Sequence, residues 1–484
     1  MECIRHRCYL LKKNMTEKPI LIIQMQRLGD LVLSYPLLGW LSRLYPENPL
    51  WVVGEKNFFS ELMELSPRAT YFTHDAAQAL RQRSFRMVIN LSHRPEATEL
   101  AGILPADERF GAYRDDASGA TFINGDWQLY RASLVHNNRY NLYHWADMHA
   151  LDVIPPDRMR RTGWPTPRET EPSSSAHIGL FLGASEQNKH PDAAFWVALA
   201  RELLQGGHRP VLLGGKSERV LGAEVAKALD SPALNLTGYF SVSALCRFLN
   251  NLDLLVTPDT GPMHLAVWTG TPVLNLSTGP VNAWETGPFS PGHYVLRADL
   301  PCVGCWHCIQ SSVLCKQTMH PGRTAFLIHE LVSKKEANLH RMDLPGQELL
   351  RTSRDARNLF HLEQCIGKCP PRHVTALFWQ AFFGNHAGIF SNAELTDAWK
   401  SLAEASPENA PVFMRELVKL SKDCSAHLRG NRSTTVNTEY FWTSFPLALR
   451  PLSSYIQLSL QNGMFKPRAF AKALELVERL IALQ

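Results

Sequence analysis

One stretch, D-L-L-V-T-P-D-T-G-P-M-H-L-A-V-W-T-G-T-P-V-L-N-L (residues 253–276), constrains the fold more than any other. It begins with a short apolar run typical of a buried strand, continues through a polar turn into helical spacing at 263–269, and is apolar again at 272–276. Strand, turn, helix and strand in this order predict a parallel unit with a crossover helix. The chain is therefore expected to be an α/β protein.

Polar residues lie where the first of these strands meets the helix, namely Asp259, Thr260 and Gly261, with His264 one turn further on. Ligands of parallel sheets bind at this edge, and the amides of a helix N-terminus favour an anion such as a diphosphate. Gly261 allows close approach, and His264 adds a donor. The alternative is that Asp259 or Thr260 only caps the helix and His264 packs in the core. The pattern alone leaves both interpretations open.

Strands and helices alternate in two blocks, which predicts two doubly wound domains facing a cleft. A segment rich in Pro, Arg, Thr and Ser separates the blocks and is predicted to be a linker. The last third has helical periodicity and little strand signal. The expected organisation is an N-terminal tail at 1–17, a first domain at 18–153, a linker at 154–175, a second domain at 176–324 and a helical accessory region at 325–484.

Composition describes a soluble globular protein, because 45% of the residues are hydrophobic and 20% are charged. No run approaches the ~20 apolar residues that span a bilayer, and ten clustered cysteines do not suggest a disulfide framework. We therefore expect a cytoplasmic protein, with Met15 an alternative start to Met1. The net charge of +5 comes from residues 331–484, which suits an anionic membrane surface or glycolipid, although a solvated surface has the same charge.

Three further sites carry residues suited to chemistry. Asp30 lies where the first strand meets its helix, and it could act as a general base or only cap that helix. The loop L-G-A-S-E-Q-N-K-H-P contains Ser185 and Lys189, which could contact a diphosphate. In L-G-G-K-S-E, Gly214 and Gly215 allow a nucleoside to approach, and Glu218 could bind ribose hydroxyls or belong to the first turn of the next helix.

The segment P-C-V-G-C-W-H-C-I-Q-S-S-V-L-C brings four cysteines together in sequence. Their spacing is Cys-x2-Cys-x2-Cys-x6-Cys, which could hold zinc or an iron–sulfur cluster. A structural metal at Cys302, Cys305, Cys308 and Cys315 is therefore one hypothesis. Cys365 and Cys369 form a weaker pair.

The motifs D-T-G-P-M-H, G-T-P-V-L-N-L, R-L-G-D-L-V-L-S-Y-P and L-G-A-S-E-Q-N-K-H-P resemble those of the ADP-heptose:lipopolysaccharide heptosyltransferases, glycosyltransferase family nine. The resemblance covers about residues 18–325. It implies a GT-B type fold of two Rossmann-like domains. It also implies an inverting glycosyltransferase that moves a heptose from ADP-heptose to a lipopolysaccharide core or similar glycolipid.

By this resemblance Asp30 is the catalytic base, Lys189 neutralises the leaving phosphate, and Glu218 binds the nucleoside. Ser185, Gly214, Gly215, Asp259, Thr260, Gly261 and His264 complete the implied donor site. Gln26 and Arg27 replace the small Ser or Thr residues usual before Leu-Gly-Asp, which leaves the acceptor open. The resemblance implies that no cofactor is required. Members of the family often carry cysteines in the segment that corresponds to Cys302–Cys315, and no catalytic metal is implied.

The expected partners are a nucleotide sugar and a glycolipid acceptor, with peripheral contact at the cytoplasmic face of the inner membrane and no nucleic acid. Three alternatives remain: the same fold with another nucleotide-sugar donor, a catalytically inactive nucleotide-sugar-binding module, and a metal- or redox-linked protein built on Cys302–Cys315. Fold alone does not decide between them.

Overall fold

The structure is a computed structural model that describes residues 17–229, 234–308, 310–367, 370–407, 409–430, 436 and 438–483. The predicted N-terminal tail lies outside the described residues up to position 16, as does Cys369. Two compact units make up the chain. Both units are discontinuous in sequence. The first consists of the chain up to Leu129 together with His149–Pro155, and the second consists of Tyr130–Met148 together with the chain from Pro156 onward.

The first unit is built on a six-stranded sheet with the order β3-β2-β1-β4-β5-β6. All neighbours pair in parallel except β5 and β6. This is the doubly wound arrangement, in which the chain reverses direction across the sheet between β1 and β4. The strands are β1 (Ile20–Gln24), β2 (Leu50–Gly54), β3 (Thr70–Phe72), β4 (Phe85–Asn90), β5 (Ala106–Arg114) and β6 (Thr121–Asn124).

The helix predicted after β1 is divided in two. Pro36 occupies the first turn of the second helix, where its missing N–H costs nothing, and the Ser34 hydroxyl donates to the Leu31 carbonyl at 2.6 Å. The stretch at 114–136 contains a strand and a helix, and a further short helix lies within 137–151. The helices up to residue 160 are α1 (Leu28–Leu33), α2 (Tyr35–Leu44), α3 (Lys56–Phe59), α4 (Ala77–Leu80), α5 (Pro95–Ile103), α6 (Asp126–Ser133), α7 (Trp145–Ala150) and α8 (Pro156–Arg160).

The second unit contains an eight-stranded sheet with the order β14-β13-β12-β11-β10-β7-β8-β9. The strands from β12 to β9 are parallel, so the carboxyl ends of β7, β8, β10 and β11 lie on one edge. The strands are β7 (His177–Phe181), β8 (Arg209–Leu213), β9 (Leu234–Asn235), β10 (Leu254–Pro258), β11 (Val273–Ser277), β12 (Tyr294–Ala298), β13 (Gln347–Arg354) and β14 (Phe360–Ile366).

Helices cover both faces of this sheet and build its two cores. Trp196 and Leu199 pack on one face with Leu180 and Leu274, whereas Leu249 and Met263 pack on the other face with Leu255. The alternation expected from the sequence is therefore confirmed. The helices are α9 (Ala193–Gln205), α10 (Arg219–Ala228), α11 (Val242–Leu249), α12 (Gly261–Trp268), α13 (Ala283–Thr286), α14 (Leu314–Gln317) and α15 (Pro321–Val332).

The C-terminal region is mainly helical, as predicted, but it begins with strands that the sequence did not indicate. The hairpin β13–β14 adds to β12 in antiparallel pairing, and Phe360 and Leu362, two residues apart on β14, are buried. Among the described residues, no helix is long and apolar enough to cross a bilayer. The helices are α16 (Pro371–His386), α17 (Asn392–Ala405), α18 (Asn409–Leu428), α19 (Glu439–Thr443), α20 (Arg450–Asn462) and α21 (Pro467–Ile481).

The antiparallel strands β12 and β13 are joined by a buried ion pair, from which we predict an effect on stability. Arg297 Nε lies 2.6 Å from Glu348 Oε1, and the two side chains are 7% and 1% exposed. We expect Arg297→Met to lower the free energy of unfolding by about 3 kcal/mol, because it leaves a buried carboxylate without its ion-pair partner. Urea denaturation measures the change.

The double variant Arg297→Met/Glu348→Leu should recover most of this loss, since it removes both charges. Lys18→Met is the control, because the Lys18–Asp107 pair is 46% and 52% exposed and should contribute less than about 1 kcal/mol. If the single variant is as stable as the double, the ion pair is not responsible for the stability of this region.

Candidate functional site

The junction of β10 and α12 has an N-cap residue whose side chain does not cap the helix. Thr260 is the N-cap residue of α12, and within the described chain its side chain makes no capping hydrogen bond. Its carbonyl instead accepts a bond from the Met263 amide at 3.0 Å. The proposed Thr260 side-chain cap is therefore not formed. The Thr260 residue lies at the N-terminus of the helix, which carries a partial positive charge.

His264 lies in the first turn of α12 and is only 6% exposed. Its Nε2 lies 4.0 Å from Asp259 Oδ1. Burial lowers the pKa of His264 to about 4, so the imidazole is neutral at physiological pH. A neutral ring offers an N–H donor beside Asp259 without adding charge. Asp259, Thr260, Gly261 and His264 are therefore close together, as predicted.

The loop after β7 holds Lys189 against the same edge of the sheet. Residues Gln187–Lys189 form one 3-10 turn, and Lys189 Nζ lies 3.2 Å from Glu186 Oε1 with 17% of its side chain exposed. The Thr278 hydroxyl, just after β11, donates to the Lys189 carbonyl at 2.8 Å. This bond joins the loop after β7 to the loop after β11. Ser185 is exposed in the same loop.

The loop after β8 orients Glu218 with two hydrogen bonds. The Gly215 amide donates to Oε2 and the Ser217 hydroxyl donates to Oε1, each at 2.7 Å. A Cβ at Gly214 would lie 2.6 Å from the Glu218 Cβ, and one at Gly183 would lie 2.3 Å from its Cγ. Glycine is therefore required at both positions by the Glu218 side chain. The carboxylate caps its own turn and is also fixed at the ends of β7 and β8.

All nine predicted donor-site residues thus belong to the second unit, at the carboxyl edge of its parallel strands. They come from loops that follow β7, β8 and β10, which are adjacent in the sheet. An edge that combines a helix N-terminus, a lysine and a carboxylate suits a nucleoside diphosphate. Their individual roles remain predictions.

Asp30 lies in the first unit, as the third residue of α1, and is half-buried. Its Oδ2 accepts a hydrogen bond from the Arg27 amide at 3.1 Å. The local structure therefore agrees with the interpretation that Asp30 caps the helix. The position also places the carboxylate at the carboxyl end of β1. Its role as a base remains a prediction.

Of the four predicted cysteine ligands, Cys302, Cys305 and Cys308 lie in the segment after β12, and Cys315 lies in α14, where it contacts the loop after β11. The Gly279 amide donates to Cys315 Sγ at 3.2 Å, and burial raises the pKa of the Cys305 and Cys315 thiols. These two cysteines are therefore protonated thiols at neutral pH. In the part of the chain that the structure describes, no group of three or more His, Cys, Asp or Glu side chains is arranged to hold a metal.

Sequence reasoning missed a buried carboxyl next to the site. Glu285 is 3% exposed and accepts hydrogen bonds from Asn138 Nδ2 at 3.1 Å and Asn141 Nδ2 at 3.0 Å. Burial, aided by Asp259, raises the pKa of Glu285 to about 8. Its partners lie 147 and 144 residues away in sequence, so no local pattern indicates the contact.

The fold is thus that of a two-unit α/β protein with the predicted donor-site residues gathered at one sheet edge of its second unit. The solved structure of E. coli ADP-heptose LPS heptosyltransferase II is similar to this chain, with a TM-score of 0.50, 18% identity, and coverage of 66% of this chain and 99% of that one. That similarity confirms the GT-B type fold. Residues 73–313 match the model of glycosyltransferase family 9 (heptosyltransferase). This match confirms the resemblance to the family that the motifs indicated.

Curated relatives match shorter stretches. The chain is 28% identical over 137 residues to lipooligosaccharide heptosyltransferase 2 of Campylobacter jejuni serotype O:6, which covers 26% of this chain and 42% of the relative. It is 27% identical over 106 residues to lipooligosaccharide heptosyltransferase 2 of Haemophilus influenzae, a match that covers 21% of this chain and 30% of the relative. The chain thus spans less than half the length of these relatives.

The raised pKa of Glu285 predicts a pH-dependent stability. In the unfolded chain this carboxyl loses its proton near its ordinary value of 4.5, whereas the folded protein holds the proton up to about 8. Between these values the folded state binds the extra proton, so its stability falls as pH rises, by at most about 1.4 kcal/mol per pH unit. The buried His264 and His293, whose pKa values are lowered to about 4 and about 3, contribute a slope of opposite sign below pH 6.5. Denaturation between pH 5 and 8 must therefore compare wild type with a Glu285 variant.

Glu285→Gln should lose the contribution of Glu285 to that slope, because the amide does not titrate. The pKa of Asp147 and that of Asp152 are also raised by burial to about 6, so the difference between variant and wild type isolates Glu285. Glu224→Gln, at an exposed position on α10, serves as the control. Parallel pH profiles for wild type and Glu285→Gln would contradict the assignment.

Proposed function

We propose that the chain is an inverting glycosyltransferase that uses a nucleotide-activated sugar. The observation that carries this proposal is the edge formed by α12, Lys189 and Glu218, where Thr260 leaves its hydroxyl out of the helix cap. ADP-heptose is the favoured donor, and a lipopolysaccharide core or similar glycolipid is the favoured acceptor. Both rest on the family and on the names of the relatives. UDP- or GDP-sugars are the alternative donors.

The donor is proposed to bind with its diphosphate at the α12 N-terminus. Thr260 and Gly261 face the phosphates, neutral His264 donates a hydrogen bond, and the Lys189 ammonium lies beside the bridging oxygens. Ser185 adds a hydroxyl from the exposed part of the loop. Glu218, held by Gly215 and Ser217, accepts from the ribose hydroxyls, with Gly214 leaving room for the nucleoside.

The reaction is a displacement at the anomeric carbon. An acceptor hydroxyl attacks from the face opposite the diphosphate, Asp30 takes the hydroxyl proton, and the bond between C1 and the phosphate oxygen breaks with its electron pair leaving on the diphosphate. The sugar passes through an oxocarbenium-like state. Lys189 and the helix dipole stabilise the charge that develops on the leaving group.

We further propose that the protein works in the cytoplasm and touches the inner membrane peripherally. The support is the charge of residues 331–484, which contain 19 Lys and Arg against 14 Asp and Glu. A basic surface attracts anionic headgroups and anionic glycolipids. Binding to anionic vesicles that weakens with salt would agree with this, whereas equal binding to neutral vesicles would not.

The role of Asp30 is tested by Asp30→Asn in an assay of nucleoside diphosphate release from ADP-, UDP- and GDP-sugars, with and without lipid A–core acceptor. We expect acceptor-dependent release to fall at least about 100-fold, because the amide cannot accept the hydroxyl proton. Binding of ADP should be unchanged.

Asp30 also accepts a bond from the Arg27 amide at the start of α1, so loss of the cap must be separated from loss of the base. Glu394 does the same for the Ser391 amide at the start of α17, and Glu394→Gln should keep full activity. ADP binding without any release, equal in wild type and Asp30→Asn, would leave only a binding module. If nucleoside diphosphate is released only from another nucleotide sugar, the proposed donor is wrong but the proposed mechanism stands.

Lys189 should act on the chemical step. We expect Lys189→Ala to lower kcat about 100-fold, because the leaving diphosphate loses a positioned cation. Lys189→Arg should retain part of the activity because it keeps the charge. Lys227→Ala, exposed at the far end of α10, is the control. A Lys189→Ala protein with unchanged kcat would exclude this role.

A further inference from the structure

Three aromatic rings meet at the surface of the second unit, next to the cysteine loop. Trp306 is partly exposed, and His136 and His307 are exposed. The ring centroids of His136 and Trp306 are 5.6 Å apart with an angle of 61° between the planes. Those of His136 and His307 are 5.1 Å apart at 31°. We call Trp306, His136 and His307 the aromatic platform.

The backbone holds two members of the aromatic platform in an unfavourable conformation. His136 has φ 63° and Trp306 has φ 62°, both in the left-handed region. A bulky side chain rarely adopts this region unless its surroundings impose it. Strain of this kind concentrates at ligand sites, where it aims side chains. Two facing aromatic residues with the same strain therefore suggest that these rings are presented to a ligand.

The aromatic platform is built on the loops that form the donor site. The Trp306 amide donates to the Pro280 carbonyl at 3.2 Å, three residues after β11. Asn282 Nδ2 donates to the Asn138 carbonyl at 2.7 Å, which fixes the segment that carries His136. Thr278, in the same loop as Pro280, holds the Lys189 carbonyl. The rings are thus attached through short hydrogen-bonded links to the proposed diphosphate site.

The order of the strands indicates which part of a substrate the aromatic platform faces. Neighbouring strands in this part of the sheet are β12, β11, β10, β7 and β8, in that spatial order. The loop with Glu218 follows β8, the proposed diphosphate junction follows β10, and Trp306 follows β12. The two ends are four strand spacings apart, about 19 Å at ~4.8 Å each. The nucleoside at β8 and the aromatic platform at β12 therefore lie on opposite sides of the diphosphate, which leaves the platform on the sugar side.

We propose that the aromatic platform is a saccharide subsite that stacks a pyranose ring of the acceptor. A partly exposed Trp offers a flat apolar face for the C–H side of a sugar ring, and an imidazole pairs an apolar face with polar nitrogens that can bond hydroxyls. This inference rests on the proposed transferase function. It also places an acceptor contact on the second unit, in addition to the first.

The test measures ligand affinity rather than turnover. Calorimetry would give the affinity of the full chain for ADP, for ADP-heptose, and for the deacylated oligosaccharide of a heptose-deficient lipopolysaccharide with ADP present. We expect Trp306→Ala to weaken oligosaccharide binding about tenfold, since one stacked ring is worth about that much. ADP affinity should stay within about twofold, and Trp306→Phe should retain most of the binding.

His307→Ala provides a second, milder variant, because His307 is exposed and its loss leaves the Trp306 backbone in place. Tyr440→Ala, at a residue that is 82% exposed in the helical region, is the control. If affinity falls for ADP-heptose but not for ADP or the oligosaccharide, the rings contact the donor sugar and the acceptor subsite is overturned.

Unchanged affinities in Trp306→Ala, or equal losses for ADP and the oligosaccharide, would overturn the subsite while leaving the transferase proposal intact. A wild-type protein that binds neither ADP nor any nucleotide sugar would instead reject the transferase proposal, and the acceptor subsite with it. The two failures are therefore distinct.

Discussion

The positive end of α12 is the interaction on which the proposed chemistry depends. β10 delivers Asp259 and Thr260 to the edge of a parallel sheet, and α12 starts at Gly261, where backbone amides point outward. Thr260 does not use its side chain as a cap in the described structure. Lys189 and Glu218 are then brought beside this end because β7 and β8 are the next strands in the sheet. One short junction therefore lies at the centre of the proposed phosphate, sugar and nucleoside contacts.

Buried polar contacts hold the loops around that junction. Glu285 is satisfied by two asparagine side chains, and Asn282 bonds the carbonyls of Asn138 and Asn141. A buried network of this kind is costly when incomplete and rigid when satisfied. The segment at 137–141 is thereby fixed against the connection between β11 and β12. The same connection carries Pro280, whose carbonyl accepts a hydrogen bond from the Trp306 amide, so the proposed nucleotide site and the aromatic platform share one support.

Local features were predictable from sequence, whereas features made by distant residues were not. The strand–turn–helix junctions at Asp30, Lys189, Glu218 and Gly261 lie within a few residues, so apolar runs and turn residues indicate them directly. Glu285 needed partners over 140 residues away, and β13–β14 became strands by pairing onto β12. The capping role of Asp30 was an open alternative that only hydrogen-bond geometry could test. The division of the predicted helix after β1 follows from Pro36, a residue visible in the sequence.

The central claim is that the second unit binds the diphosphate of its donor at the α12 N-terminus. A crystal structure of the full chain with ADP tests it most directly. We expect phosphate oxygens within ~3 Å of the Thr260 hydroxyl and Lys189 Nζ, and ribose hydroxyls on the Glu218 carboxylate. ADP bound at another edge of the sheet, with Lys189 and Thr260 untouched, would contradict the claim.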